Sequence, residues 1–200
     1  MTHQIAVLFA RADSIYKSFA NVDVWDEARD ARKWQGGCSL VAHPPCRAWS
    51  VLKWLAKPPP GAKELAPWAI SQIRKWGGVL EHPLGSELWP FCRWPPAKGL
   101  PDAWGGWTLR VDQYHFGHRA RKSTLLYICG CPPSNIPPKS WRPGEPLYVI
   151  SASKRKRQTG ATMRPEVSRA EREGTPPEFA EWLCEIARRC RRPRTPILGV

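Results

Sequence analysis

The residues best equipped for chemistry lie in His43-Pro44-Pro45-Cys46-Arg47-Ala48-Trp49-Ser50, directly after the apolar run Ser39-Leu40-Val41-Ala42. Two prolines restrict the backbone and remove two amide donors, so the Cys46 thiol is presented on a stiff turn rather than woven into a helix or sheet. A strand that ends in a rigid turn is a good mount for a nucleophile. The plainer alternative is a structural cysteine in a Pro-stiffened loop. Two later stretches add reactive side chains: Glu81-His82-Pro83, and the basic turn His115-Phe116-Gly117-His118-Arg119-Ala120-Arg121-Lys122.

These stretches need elements to bring them together. Ile5 to Phe9 reads as a buried strand, Ile15 to Phe19 as a short helix or irregular segment, and Val22 to Trp25 as a second strand followed by a charge-mixed helical turn over 26–32. Leu40 to Ala42 is a third strand. Leu65, Ala69, Ile73 and Trp76 recur at helical spacing and Gly77-Gly78 supplies the stop, which predicts a helix over 64–76 with Pro67 in its first turn. Val79-Leu80 is then a fourth strand, and a right-handed crossover sets Cys46 and Glu81 on the same edge of a parallel sheet. Asp13, Asp23 and Asp26 fall at the carboxyl ends of strands, where open α/β sheets bind ligands; three carboxylates in a solvated loop explain themselves as well, and that reading is slightly favoured. Residues 84–106 are loop-like, with Trp89, Trp94, Trp104 and Trp107 among Pro and Gly. Thr108 to Tyr114 and Thr124 to Cys129 read as further strands.

Composition bounds the partner. Lys and Arg number 31 against 17 Asp and Glu, a net charge of +14, so a polyanion is the first expectation. No apolar run reaches the ~20 residues of a membrane-spanning helix, and Ile5 to Ala10 is too short for a secretory signal, which predicts a cytoplasmic protein that binds DNA and no membrane. Seven cysteines without paired C-x-x-C spacing point to reduced thiols. Twelve Trp and 22 Pro predict long loops held down by aromatic packing, with some Trp stacked on bases. Lys53 and Lys57, with Trp54, form a basic loop suited to following a backbone. From Cys131 to Gly174, Pro, Lys and Arg dominate, including Lys154-Arg155-Lys156-Arg157, which predicts an extended arm that tracks phosphates. Thr175-Pro176-Pro177-Glu178 reads as a capping box before a helix with Phe179, Trp182, Leu183, Ile186 and Cys190 on one face.

Taken in order, Pro44-Pro45-Cys46 with Trp49-Ser50, Glu81-His82-Pro83, Phe116-Gly117-His118-Arg119-Ala120-Arg121 and Thr175-Pro176-Pro177 resemble cytosine-5 DNA methyltransferases. More closely, the chain looks like the small phage and prophage proteins with a His-Pro-Pro-Cys turn and a later Phe-Gly-His-x-x-x-Lys stretch. The resemblance implies an α/β fold with a Rossmann-like methyltransferase core and a mostly parallel sheet over 1–130, carrying a Trp/Pro-rich insertion, followed by a basic arm over 131–174 and a C-terminal helix over 175–200. It implies location in a bacterial host cell. Cys46 matches the nucleophile that adds to carbon 6 of a flipped cytosine, Glu81 the glutamate that contacts the exocyclic amine and ring nitrogen 3, and Arg119 and Arg121 the Arg-x-Arg element that holds the base and its phosphate. Ser50 matches a supporting polar group, and Arg47, Arg119 or Arg121 would lower the thiol pKa. S-adenosylmethionine is the implied cofactor, bordered by Phe9, Asp13, Asp23, Asp26 and Pro44, and Arg47 and Lys122 join the DNA contacts. The glycine-rich loop usual after the first strand is here Phe9-Ala10-Arg11-Ala12-Asp13-Ser14, and the Asn usual after the glutamate is His82.

Two other readings accompany this one. His43, Cys46, His82, His115 and His118 include preferred zinc ligands and would gather if the protein were a metal-dependent enzyme. A non-catalytic DNA-binding or anti-restriction protein that kept the shape and lost the donor site is the other, with Arg11 and Asp13 in place of glycines as its signal.

Overall fold

Strands alternate with helical turns along the first half of the chain, and the computed structural model, which describes residues 4–51, 53–93, 100–150 and 164–193, assembles them into one mixed sheet. The strands are β1 (Ile5–Ala10), β2 (Val22–Asp26), β3 (Leu40–Ala42), β4 (Gly78–Pro83), β5 (Trp107–Asp112) and β6 (Ser123–Cys129), in the spatial order β2-β1-β3-β4-β6-β5. β1 pairs in parallel with β2 and β3, and β3 with β4; β6 is antiparallel to both β4 and β5. The α/β fold with a mostly parallel sheet expected from the sequence is therefore present, and its strand order is compatible with a Rossmann-like core. The chain moves from β1 outward to β2 and then returns to place β3 on the other side of β1. That reversal is a topological switch point, where the carboxyl ends of parallel strands leave a crevice.

Helix α1 spans Lys53–Ala56, within the stretch expected to be loop, and α2 spans Leu65–Trp76. Pro67 lies in the first turn of α2, where its missing N–H costs no helical bond. Gly77, with φ 81°, ends the helix. Gly78 starts β4 at φ 147°, where an added Cβ would come within 2.1 Å of the Leu40 carbonyl oxygen, so the close approach of β3 and β4 requires glycine. α3 spans Leu88–Phe91, α4 Arg169–Glu173 and α5 Pro177–Arg189.

Strand alternation divides the core between two faces. Leu8, Leu40, Ala42 and Leu80 pack with Ala66, Ala69, Ile70 and Ile73 of α2. Val7, Val41, Val79 and Leu126 pack with Phe179, Leu183 and Ile186 of α5. Each Leu, Ile, Val or Phe among them stabilises the fold by roughly 1.5–3 kcal/mol on full burial, which is why both helices, though one comes from the far end of the chain, are fixed to the sheet.

The capping box expected at Thr175 does not form. Pro176 is the N-cap and Pro177 the first helical residue, so Glu178 falls one position short of the place from which it would reach back. The described parts of residues 131–174 lie against the core: Trp182 donates its indole N–H to the Pro137 carbonyl (3.0 Å), Val149 pairs with Glu166 in an isolated bridge, and α4 docks beside the Cys46 turn. Lys154, Arg155, Lys156, Arg157 and Trp94 lie outside the described residues. No helix among the described residues is long and apolar enough to cross a membrane.

Candidate active site

A cavity of ≈ 680 Å³ opens at the switch point. Its walls are the end of β1 and the loop after it (Phe9 to Tyr16), the turn His43 to Arg47 after β3, the end of β4 at Glu81, and Arg121 to Ser123 leading into β6. Ile150 and the segment from Ala170 to Thr175 border it from the other side. Volumes of ~300–1,000 Å³ are those of small-molecule and cofactor sites.

The local sequence explains how the reactive groups arrive. Cys46 is exposed on the turn and caps the 3-10 helix Arg47–Trp49, whose Ala48 and Trp49 are buried and anchor it. Glu81 shares the face of Val79, because side chains two apart on a strand point the same way; this directs its carboxylate toward Tyr16 and His43. His82 goes to the opposite face, where its ring packs edge-on against Trp89 at 5.9 Å. Burial there holds His82 down to about 4, and neither ring nitrogen has a hydrogen-bond partner among the described residues. Adjacent residues of one motif are thereby split across the sheet.

Glu81 is the centre of a hydrogen-bonded array. His43 Nδ1 lies 3.1 Å from Oε2; Gln113 Nε2 donates to Oε1 at 3.2 Å and the Thr124 hydroxyl does so at 3.3 Å. The Tyr16 hydroxyl is 2.9 Å from His43 Nε2. Burial, then the charges of Cys184 and Glu81, push Tyr16 well above the ordinary tyrosine range, so it remains a phenol and donates to Nε2. Nδ1 then carries the imidazole proton and donates it to Glu81. Burial by itself would raise Glu81, but the His43 hydrogen bond first and then the surrounding positive charge, that of Lys122 included, outweigh it and hold the carboxyl at about 2. Glu81 is ionised at neutral pH.

The thiol does not behave as the resemblance implies. Desolvation first and the Glu81 carboxylate second push Cys46 upward, while Lys122 and Arg47 oppose them only in part. Arg119 and Arg121 do not lower it, for both are held elsewhere. Arg119 pairs with Glu171, lies over the Tyr148 ring at 4.3 Å and does not line the cavity; Arg121 lines the rim and pairs with Glu145.

The remaining candidates separate in the same way. Phe9, Asp13 and Pro44 line the cavity. Phe9 sits at φ 61° where the β1 register shifts, a left-handed conformation in the place expected of glycine. Asp23 and Asp26 do not line it: Asp23 accepts from the Trp25 indole (2.7 Å) and Arg29 (2.7 Å), and Asp26 from Lys17 (2.7 Å), so in place of the expected border of the cofactor they form structural ion pairs. Ser50 ends the 3-10 helix away from the cavity, Lys53 pairs with Glu87, and Lys57 is exposed. Arg47 lines the cavity 3.8 Å from Glu173. Lys122, expected on a phosphate-tracking surface, is instead a cavity wall, with its ammonium donating to the Gly174 carbonyl at 2.7 Å.

The zinc arrangement does not assemble. His115 stacks on Trp141 at 4.4 Å, His118 is buried and tied to the Ala120 backbone, and His82 is turned away, so no group of three His, Cys, Asp or Glu side chains among the described residues is placed to hold a metal ion. All seven cysteines are free thiols. Sequence reasoning missed Tyr16, Gln113, Thr124 and Arg172, and weighed His43 only as a ligand; the signal for His43 was its place at the end of β3, one turn from the thiol. Comparison of the chain with protein-family models, curated proteins and solved structures finds no match.

Proposed function

We propose that this protein modifies a pyrimidine base of DNA: the Cys46 thiolate adds to carbon 6 of an unpaired cytosine, carbon 5 takes a methyl group from a sulfonium donor that departs as the thioether, and loss of the carbon 5 proton to solvent expels the thiolate and restores the ring. The observation that carries the reading is the meeting of an exposed thiol and an ionised, hydrogen-bonded carboxylate in one cavity at the switch point of a parallel sheet. The net charge of +14 supports a nucleic acid as the polymer. A base must leave its stack to reach such a cavity, at a cost of a few kcal/mol that phosphate contacts offset.

S-adenosylmethionine would supply the methyl group. The loop after β1 carries groups of the kind its amino-acid end needs: Arg11 and Asp13, paired at 2.8 Å, would exchange partners with its carboxylate and ammonium, beside the apolar surfaces of Phe9 and Pro44. The residues of this chain do the rest. Glu81 accepts an N–H bond from the exocyclic amine of the base, on the side left open by His43, Gln113 and Thr124. That bond spreads the Glu81 charge, which after desolvation is what raises the Cys46 thiol. Lys122 and Arg47 favour the thiolate and are the groups available to hold it while it attacks. Incubation with labelled S-adenosylmethionine and mixed single- and double-stranded DNA tests the proposal; label in DNA supports it, and absence of both label and donor binding ends it.

The thiol's upward shift and the glycine-free loop favour a second reading, a DNA-binding protein without catalysis. It predicts DNA binding with no transfer and no donor binding.

A further inference from the structure

The cavity holds more positive charge than its own carboxylates use. Five guanidinium or ammonium groups line it against three carboxylates. Asp13 is paired with Arg11, Glu173 with Arg11 (3.0 Å) and Arg169 (2.9 Å), and Glu81 is engaged by His43. Among the described residues neither Arg172 nor Lys122 is ion-paired with a carboxylate, although the charge of Lys122 reaches Glu81. Arg172 is half-buried with no side-chain partner there, and Lys122 donates only to a backbone carbonyl.

The backbone that carries Arg172 and the ammonium of Lys122 are both held in place. Glu171 and Glu173, on either side of Arg172, bind Arg119 and Arg11, which fixes α4 over the cavity. Ser168 caps α4 by accepting from the Glu171 N–H (3.1 Å), and Gly174, which receives the Lys122 ammonium, closes the same turn with its N–H on the Ala170 carbonyl (2.8 Å). Two half-buried cations without ion-pair partners on one cavity wall are placed to receive an anion.

We infer that Lys122 and Arg172 form a phosphate-binding corner of the cavity, which takes the phosphate of the pyrimidine nucleotide whose base reaches Glu81. The inference rests on the base-binding reading above for its base half only. It gives the C-terminal segment a direct part in substrate binding, since α4 brings Arg172. A free nucleoside monophosphate and a phosphodiester of DNA share the chemistry this corner recognises.

Calorimetry on the full chain with deoxycytidine, dCMP, the dinucleotide d(TpC) and inorganic phosphate tests it, using wild type, Arg172→Ala, Arg172→Lys and Lys122→Gln. Charge-assisted contacts of ~1.5–3 kcal/mol correspond to about 10-fold or more in affinity. The wild type should therefore bind dCMP at least ~10-fold more tightly than deoxycytidine. Arg172→Ala should abolish that preference and Arg172→Lys keep part of it, each with deoxycytidine affinity unchanged within about twofold, and Lys122→Gln should reduce the preference for dCMP. Tighter binding of d(TpC) than of dCMP identifies a DNA phosphate, and the reverse a free nucleotide. Phosphate binding that is lost in Arg172→Ala while deoxycytidine never binds would support the corner and count against the base site. Equal binding of dCMP and deoxycytidine by the wild type, or an undiminished preference in Arg172→Ala, overturns the inference.

Discussion

Replacing Glu81 by Gln keeps the shape of the side chain and removes the charge that His43 and Lys122 hold. The carboxyl falls from an ordinary 4.5 to about 2 in the fold. At ~1.4 kcal/mol per pH unit, that fall is worth about 3 kcal/mol of stability. Because the folded value lies below the unfolded one, the contribution is fully present above pH ~4.5 and is lost as the pH falls toward 2. About 2 kcal/mol of it should be gone at pH 3 by the same slope. Glu81→Gln resembles the protonated state at every pH, so the stability gap between wild type and variant should be about 3 kcal/mol at pH 7 and shrink to about 1 kcal/mol at pH 3. Urea unfolding of both proteins at pH 7, 5, 4 and 3 reads the gap directly, and taking the difference removes the other carboxylates. A gap that does not change with pH would refute the charge-holding role of His43 and Lys122.

Three further outcomes follow from the same geometry. Tyr16→Phe removes only the hydroxyl on His43 Nε2; it should cost about 1 kcal/mol in chemical denaturation and release the imidazole tautomer, seen as a changed ¹⁵N pattern for His43. Gly78→Ala drives a methyl group into the Leu40 carbonyl and should cost at least about 1–3 kcal/mol, read as a lowered Tm. Cys46→Ala, at an exposed turn, should leave stability within ~0.5 kcal/mol and DNA affinity within a few fold while abolishing label transfer; an active variant would remove the nucleophile assignment.

Local pattern made half of the site legible. The unbroken apolar runs at Ile5 and Leu40, the helical spacing of Leu65, Ala69, Ile73 and Trp76, and the glycines after them are enough to place Cys46 and Glu81 on one edge of the sheet. The partners of Glu81 were not legible, because Gln113 and Thr124 reach it only through the insertion of β6 between β4 and β5, an ordering that nothing in the neighbouring sequence encodes. The end of β5 is similar: Asp112 turns back to accept from the Tyr114 and Lys122 backbone N–H groups at 3.0 Å, which stops the strand two residues before its apolar pattern does. Charge was misread for a related reason. The arginines and Lys122 near residue 120 look like one solvated basic turn, but the strand that follows pulls Lys122 inward and leaves Arg119 and Arg121 paired to glutamates far along the chain. Asp23 and Asp26 show the converse, with acids at strand ends consumed by neighbouring cations.

The central claim is that Cys46 bonds to a pyrimidine ring. A single-stranded oligonucleotide carrying 5-fluorocytosine tests this most directly, since fluorine at carbon 5 cannot leave as a proton does and the sulfur-carbon bond is not released after methylation. Intact-protein mass spectrometry with the methyl donor present should show one added oligonucleotide, located at Cys46 by peptide mapping and absent from Cys46→Ala. No adduct with wild type, or an adduct that survives in Cys46→Ala, would contradict the account.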